Sequence, residues 1–538
     1  MINNHMLRIG ALFLFTVLSY GFYNAYLPIT DPVESNYVLS AITMLKHNSW
    51  ISPMIYDQVW YDKPPLTYWA LMISYKLFGI SDFTSRIPNT LIAGGSVALM
   101  YHLVYRIKES THIAITSAIL LFGALQFWYI SHAVITDGFL FFFSLAIFGY
   151  SYLAFTKNDK HSMVKAYGAA ALAVVTKGPV GIVLPGLILL LFIAARWFTQ
   201  KDNDDYSLAK DIKLLFNPFG IFLFIIFASP WYIAMYSIHG QEFISGFLGL
   251  HNMERALVSE HPKFNVWYYY LIIVPLALLP WTPAVIYRLK SIKWKNDFDL
   301  ISAIWFIVIV LFYSLVATKY ITYTLPAIIP CLIWGAEAIT TSFHNKSTSF
   351  KYIVTIPLGI YTLLFLIASI ATPELNPIPL IGAFVLLVLF TLAIKRYRNS
   401  NLPLSICLAT PLTILYTAIT ITVTPILSDQ SGLQFKPYIE SSAQHTYIYG
   451  TYYTSIVYYT KDTPTQVFVH TTDNPVWTAG KTLMPTITVE EFDTRVSNEK
   501  GATIIVPNKY SKEFANSPTN NIATEVGKTK SASIYKIQ

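Results

Sequence analysis

Cysteine is almost missing from this 538-residue chain: the 2 present, Cys331 and Cys407, sit within apolar runs and read as ordinary buried residues. That excludes a disulfide framework and a cysteine zinc site. Charge is scarce too. Asp, Glu, Lys and Arg make up only 12% of the residues, about half the share of a typical soluble domain. With 54% hydrophobic residues and a mean hydropathy of +0.48, the composition points to a polytopic membrane protein and not a soluble one. No repeat, low-complexity segment or long linker breaks the apolar region. No small-residue cleavage site follows the first apolar run, so that run is expected to be a retained helix.

Aromatic residues, in contrast, are plentiful: 16% of the chain, with 37 Tyr and 12 Trp. They suit helices with wet ends and interfacial belts. The formal net charge of +8 fits basic cytoplasmic loops, with no nucleic acid as partner. The expected fold is an all-α polytopic membrane protein. A spanning helix needs about 20 apolar residues. Candidates are 7–27, 86–107, 112–130, 132–155, 164–180, 181–199, 215–236, 267–287, 299–318, 321–342, 352–372, 377–394 and 403–425, about thirteen in all. Segment 64–79 is shorter and reads as juxtamembrane.

With the N-terminus inside, the inner loops hold Arg106, Lys108, Lys157, Arg196, Lys210, Arg288, Lys290, Lys351 and Arg396. Every inner loop is then basic, as the positive-inside rule requires. The outer side collects the first loop, 28–85, with Asp137, Lys177, the loop 237–266 and Lys319. After Pro425 the chain turns polar. Residues 1–429 are read as the membrane domain and 430–538 as a small extracytoplasmic α/β domain. Its expected strands are 447–449, 466–470, 503–506 and 533–537, with a helix over 452–459.

The polar residues of the outer side are the candidates for chemistry, because charge beside a bilayer is costly unless it has work to do. Asp31 and Glu34 stand three residues apart; helix capping explains them as well as catalysis does. In Trp60-Tyr61-Asp62-Lys63-Pro64-Pro65, two prolines lock the corner. Lys63 can hold a phosphate, and Asp62 can orient Lys63 or ligate a divalent cation. A surface ion pair is the plain alternative. Asp137 opens a very apolar helix, as an active-site acid or a cap. Arg255, near His251, Glu260 and His261, can clamp phosphate, although the histidine spacing does not suit a structural zinc. Lys319 either snorkels or binds phosphate.

At these residues the chain resembles the bacterial GT-C glycosyltransferases related to protein O-mannosyltransferases (glycosyltransferase family 39 type), the branch that includes the lipid A aminoarabinose transferases. The stretches that carry the resemblance are ESNYVLSAITMLKHNSWISP, YDKPPLTYW, LFGISDFTSRIPN, ITDGFLFFF, KGPVGIVLPG, SPWYIAM, HNMERAL, EHP with WYYY, LPWTP and KYITYTLP. They run in order from about residue 31 to 330. The resemblance implies a GT-C fold in the cytoplasmic (inner) membrane with its active site outside. The implied donor is a polyprenyl-phosphate-linked sugar, and the acceptor an envelope lipid, glycan or protein. It implies an acidic base in the first loop, basic residues on the departing phosphate, and inversion at the sugar. The family's paired acids fall at Val33 and Glu34, so the base is either Asp31 or Glu34. Asp137 takes the second acidic position. Lys63, Arg255 and Lys319 take the phosphate, Asp62 is a candidate metal ligand, and Tyr37, Trp60, Tyr61, His251 and Tyr323 line the pocket. A protein O-mannosyltransferase-like activity and, from a different class, a lipid-carrier transporter are the alternatives.

Overall fold

The computed structural model describes residues 2–204, 206–396, 403–440, 445–469 and 483–538. It divides into two compact units. The first comprises Met1–Asn24, Tyr61–Thr67 and Arg86–Thr422. The second comprises Ala25–Trp60, Tyr68–Ser85 and Val423–Gln538. The sequence predicts a division at 429/430. The second unit instead takes in most of the first loop, because this loop folds into helices and a hairpin that share side-chain contacts with the C-terminal residues.

The first unit is a helix bundle. Among the described residues, nine helices of the chain are long and apolar enough to cross a bilayer, or eleven if two bent pairs each count as one span. The sequence predicted about thirteen, and a helix stands at every predicted place. Two fall short for physical reasons. Lys160–Lys177 carries three lysines, and the apolar part of the other is only Ile378–Ala393. One bent pair, Thr111–Phe122 and Leu125–His132, turns by 59° after Gly123. A Cβ on Gly123 would meet Leu412 Cδ1 at 2.5 Å, so a larger residue there would have to push the Leu412 side chain aside. The other pair, Tyr269–Ala277 and Thr282–Leu289, turns by 108° about Pro280, whose ring removes a backbone donor.

Helix Asp137–Lys157 has 21 residues and is buried over most of its length. At 1.5 Å per residue it runs about 30 Å, one bilayer core. Asp137 and Lys157 therefore lie on opposite faces of the bundle. The far ends are tied by ion pairs. Arg196 holds Asp211 at 2.9 Å and Asp297 at 3.1 Å, and Arg288 holds Asp299 at 3.0 Å and Glu337 at 2.8 Å. These are the basic residues predicted for inner loops.

Segment 237–266, read as a loop, is partly helical. Helix Pro218–Phe243 breaks at Gly240, where φ is +55°, and continues as a π-helical run, Ile244–Glu254. Phe243 and Phe247 are buried there against Trp231 and each other. That apolar anchor is why the chain stays wound past the membrane helix.

The second unit holds helix Val33–Lys46 and most of helix Leu66–Phe78. With 13 residues, Leu66–Phe78 is too short to span, as predicted for 64–79. A two-residue hairpin joins β1 (Met54–Ile55) to β2 (Gln58–Val59), with Tyr56 and Asp57 both at positive φ. The C-terminal residues form a six-stranded sheet. Its strands are β3 (Thr446–Tyr449), β4 (Thr465–Phe468), β5 (Thr486–Thr488), β6 (Thr503–Pro507), β7 (Ala523–Lys528) and β8 (Ala532–Ile537), in the order β5-β4-β3-β6-β8-β7. The first four are parallel and β8 and β7 antiparallel.

Alternation sets the two faces. Tyr447, Tyr449, Ile504 and Val506 enter one apolar cluster; Ile448 and Ile505 enter another on the opposite side. Of the predicted strands, four are found; His470, at the end of one, lies outside the described residues. β5 and β7 were missed. β5 has three residues, and β7 is a mostly exposed edge strand with a bulge, so neither carries the apolar signal.

Candidate functional site

Two groups of the predicted residues assemble, one in each unit. In the first unit, Lys63 turns back on its neighbour, with Nζ 2.8 Å from Asp62 Oδ1. Arg255 follows the π-helical run, and its Nη1 lies 3.2 Å from the same Asp62 oxygen. Its Nε is 3.4 Å from Glu260 Oε2, which also accepts the Tyr320 hydroxyl at 2.8 Å. The backbone fixes this arrangement. Ala317 N donates to Ala256 O at 2.9 Å and Thr318 N to Arg255 O at 3.1 Å. Thr318 Oγ1 accepts from Glu260 N at 3.0 Å and donates to Val258 O at 3.0 Å.

Asp137 and Lys177 complete the group. They sit at the start and end of consecutive helices, where dipoles favour an acid and a base respectively. Lys177 Nζ is 2.7 Å from Asp137 Oδ1 and 4.9 Å above the Tyr323 ring. Tyr323 stands 5.2 Å from Tyr320 by ring centres, and the charges of Arg255, Asp137, Glu260 and Asp62 all reach its hydroxyl. Asn89 aims the turn before Asp137 by donating to Ala133 O at 2.6 Å and Ile135 O at 3.0 Å. Gly178 has φ +87°, and a Cβ there would meet Phe247 at 3.0 Å, so the Lys177 corner needs glycine. Three cations (Lys63, Arg255, Lys177) thus face three acids (Asp62, Glu260, Asp137).

Burial pulls Lys63 down to about 8, against the opposite pull of Asp62. Above that pH, donor-free protein loses a cation. The KM for an anionic donor is therefore expected to rise between pH 7 and pH 9, and Lys63→Arg to flatten the dependence; steady-state kinetics at both pH values checks this.

Lys319 lies apart from this group. It is 3% exposed, and its ammonium donates to Ser314 O at 2.9 Å and Val316 O at 2.8 Å, capping the helix Asp297–Leu315. Lys319→Gln is expected to cost about 1–3 kcal/mol of stability, read by thermal unfolding, with the donor KM unchanged. Tyr61 packs edge-on against His239 and Phe243 at 5.5 and 6.1 Å. The side chain of His251 lies outside the described residues. Asp62 has its carboxylate taken up by two cations, and among the described residues no group of three or more His, Cys, Asp or Glu could hold a metal ion.

In the second unit, Glu34 Oε2 accepts from Thr30 N at 3.0 Å and Thr30 Oγ1 at 2.6 Å. Asp31 Oδ1 accepts from Ser35 Oγ at 2.7 Å and Ser455 N at 2.9 Å, and Oδ2 accepts the Ser455 hydroxyl. Burial pushes Asp31 up to about 6, while these hydrogen bonds pull the other way. Tyr37 is 5% exposed, its ring 5.6 Å from Tyr68. Trp60 donates its backbone N–H to Pro53 O at 2.8 Å, closing the hairpin. Asp57 is a surface residue, 3.0 Å from Lys46 and 2.6 Å from His47. Sequence reasoning gave no role to Glu260, Tyr320 or Asn89, although all three lie in the EHP, KYITYTLP and RIPN stretches.

The family described as "Dolichyl-phosphate-mannose-protein mannosyltransferase" matches residues 13–244. An uncharacterized protein of Aquifex aeolicus is 30% identical over 327 residues, 59% of this chain and 71% of that one. The undecaprenyl phosphate-alpha-4-amino-4-deoxy-L-arabinose arabinosyl transferase 1 of Proteus mirabilis is 26% identical over 338 residues, 61% of this chain and 58% of its own. In fold, the chain is similar to ArnT from Cupriavidus metallidurans, solved bound to undecaprenyl phosphate. The TM-score is 0.78 at 18% identity, over 99% of this chain and 98% of that one. The chain is therefore an integral membrane glycosyltransferase, and it belongs to the GT-C family of the dolichyl-phosphate-mannose-protein mannosyltransferases.

Proposed function

We propose that this enzyme moves a sugar from a polyprenyl-phosphate carrier to a hydroxyl on a cell-envelope acceptor, at the outer face of the cytoplasmic membrane. The observation that carries the reading is the convergence of Lys63 and Arg255 on one Asp62 oxygen, with Lys177 in the same group. Buried cations held by carboxylates are ready to exchange onto a phosphate. The acceptor oxygen attacks the anomeric carbon, and the bond from that carbon to the phosphate oxygen breaks. The phosphate leaves with the electron pair, its charge stabilised by the fixed cations. The acceptor proton passes to a carboxylate, for which the sequence match favours Glu34. One displacement inverts the centre. Asp31 is the weaker candidate, since both its oxygens are engaged by serines.

The ArnT of Cupriavidus metallidurans, with undecaprenyl phosphate bound, supports the donor class. The arabinosyl transferase relatives favour lipid A or another surface glycan as acceptor, and the matched family favours exported protein. The basic far ends of the helices favour an inside N-terminus. The test is the purified enzyme in nanodiscs with undecaprenyl-phosphate-linked aminoarabinose and lipid A. Release of undecaprenyl phosphate with glycosylated product supports the reading. Lipid movement without a new glycosidic bond refutes it. Mass spectrometry of envelope lipids and glycoproteins from a deletion strain identifies the acceptor.

A further inference from the structure

The seven-residue helix Thr454–Thr460 in the C-terminal part of the chain is bonded all along the start of the first loop. Ser455 gives both its backbone N–H and its hydroxyl to the Asp31 carboxylate. The same hydroxyl accepts from Gly432 N at 2.7 Å. Thr454 Oγ1 bonds Asn36 Oδ1 at 3.0 Å and the Tyr56 hydroxyl at 2.7 Å. The Tyr459 hydroxyl accepts from Ile29 N at 2.7 Å and donates to Asp82 Oδ1 at 2.9 Å. These anchors at 29, 31 and 36 flank Glu34 on both sides. Glu34 lies one helical turn from Asp31, and Thr30, between two of the anchors, holds its carboxylate.

The fit is close. A Cβ on Gly432 would meet Ile456 N at 2.6 Å and Ser455 Oγ at 2.8 Å, so the chain leaving the last membrane helix presses directly on this helix. Ser455 is fully buried. Burying its hydroxyl is favourable only because both its donor and its acceptor capacity are used. Four of these bonds fall on the eight residues 29–36 that carry Glu34.

We propose that helix Thr454–Thr460 positions Glu34 for proton transfer, with Ser455 and Tyr459 as positioning residues; this rests on the reading of Glu34 as the base. The C-terminal domain is then a working part of the enzyme, acting through the loop and touching no substrate. Misplacing a reacting group by about 1 Å costs on the order of a hundredfold in rate.

The experiment measures undecaprenyl phosphate release by the full-length enzyme, with undecaprenyl-phosphate-linked aminoarabinose and lipid A. Ser455→Ala and Tyr459→Phe are each expected to lower kcat by about ten- to a hundredfold, with the donor KM unchanged, because the phosphate cations belong to the other unit. Ser455→Thr, which restores the hydroxyl, is expected to recover the rate. Full kcat in Tyr459→Phe, or no recovery with threonine, overturns the proposal, and Tyr459→Phe decides alone if Ser455→Ala fails to fold. Glu34→Gln in the same assay separates the two claims. If it transfers normally, the base assignment falls. If it is inactive while both positioning variants run at full rate, only the positioning claim falls.

Discussion

Arg255→Ala is expected to slow transfer by about 10²–10³-fold, or about 2.7–4 kcal/mol of transition-state stabilisation. The guanidinium is largely buried between Asp62 and Glu260 and is fixed by the backbone ladder to Ala317 and Thr318. That support keeps the cation in place to meet the charge that builds on the leaving phosphate, which is what makes such a cation effective. Arg255→Lys is expected to fall between wild type and alanine. An ammonium is a point charge and cannot span two acceptors as the planar fork does. Asp62 keeps Lys63 as a partner in both variants, so the local fold retains a cation. The measurement is single-turnover release of polyprenyl phosphate at saturating donor. An Arg255→Ala enzyme with wild-type kcat would remove Arg255 from the chemistry.

Glu34→Gln is expected to reduce kcat by about 10²–10⁴-fold, the usual contribution of a positioned base. The substitution is nearly isosteric, and a glutamine carbonyl oxygen can still accept the two Thr30 bonds that Glu34 Oε2 accepts. Folding is therefore expected to survive, and thermal unfolding beside kcat separates lost chemistry from lost structure. Asp31→Asn tests the alternative base. Its carboxylate is enclosed by Ser35 and Ser455, and burial raises it to about 6. A carboxylate raised in this way weakens the fold as pH climbs through 6. The native state holds its proton over a range, about pH 4 to 6, where the unfolded chain has released it. Asp31→Asn is thus expected to lessen the loss of thermal stability between pH 5 and pH 8.

Much of the candidate site was legible in the sequence because membrane chemistry makes polar residues conspicuous. Asp137, in front of a phenylalanine run, stands out against apolar neighbours; its partner Lys177, 2.7 Å away, was placed on the same side but given no role in the site. Lys63 and Arg255 were legible for the same reason. Lys319 looked identical in sequence. It differs only because its ammonium reaches back to the end of its own helix, and local sequence does not record which way a lysine turns. Glu260 and Tyr320 had no distinguishing pattern, since a polar loop hides an acid that pairs with Arg255 among solvated ones.

By itself the sequence determined the class, the order of the helices and the ends at which charge collects. Those follow from a local rule: backbone in a bilayer must satisfy its own hydrogen bonds, so apolar runs become helices. The long-range choices belong to the tertiary structure alone. It joined the first loop to residues 423–538, set Asp31 against Ser455 across 424 positions, and gave Arg255 two acids to bridge. Such pairings depend on which buried polar group finds its partner, and that complementarity exists only once distant segments meet.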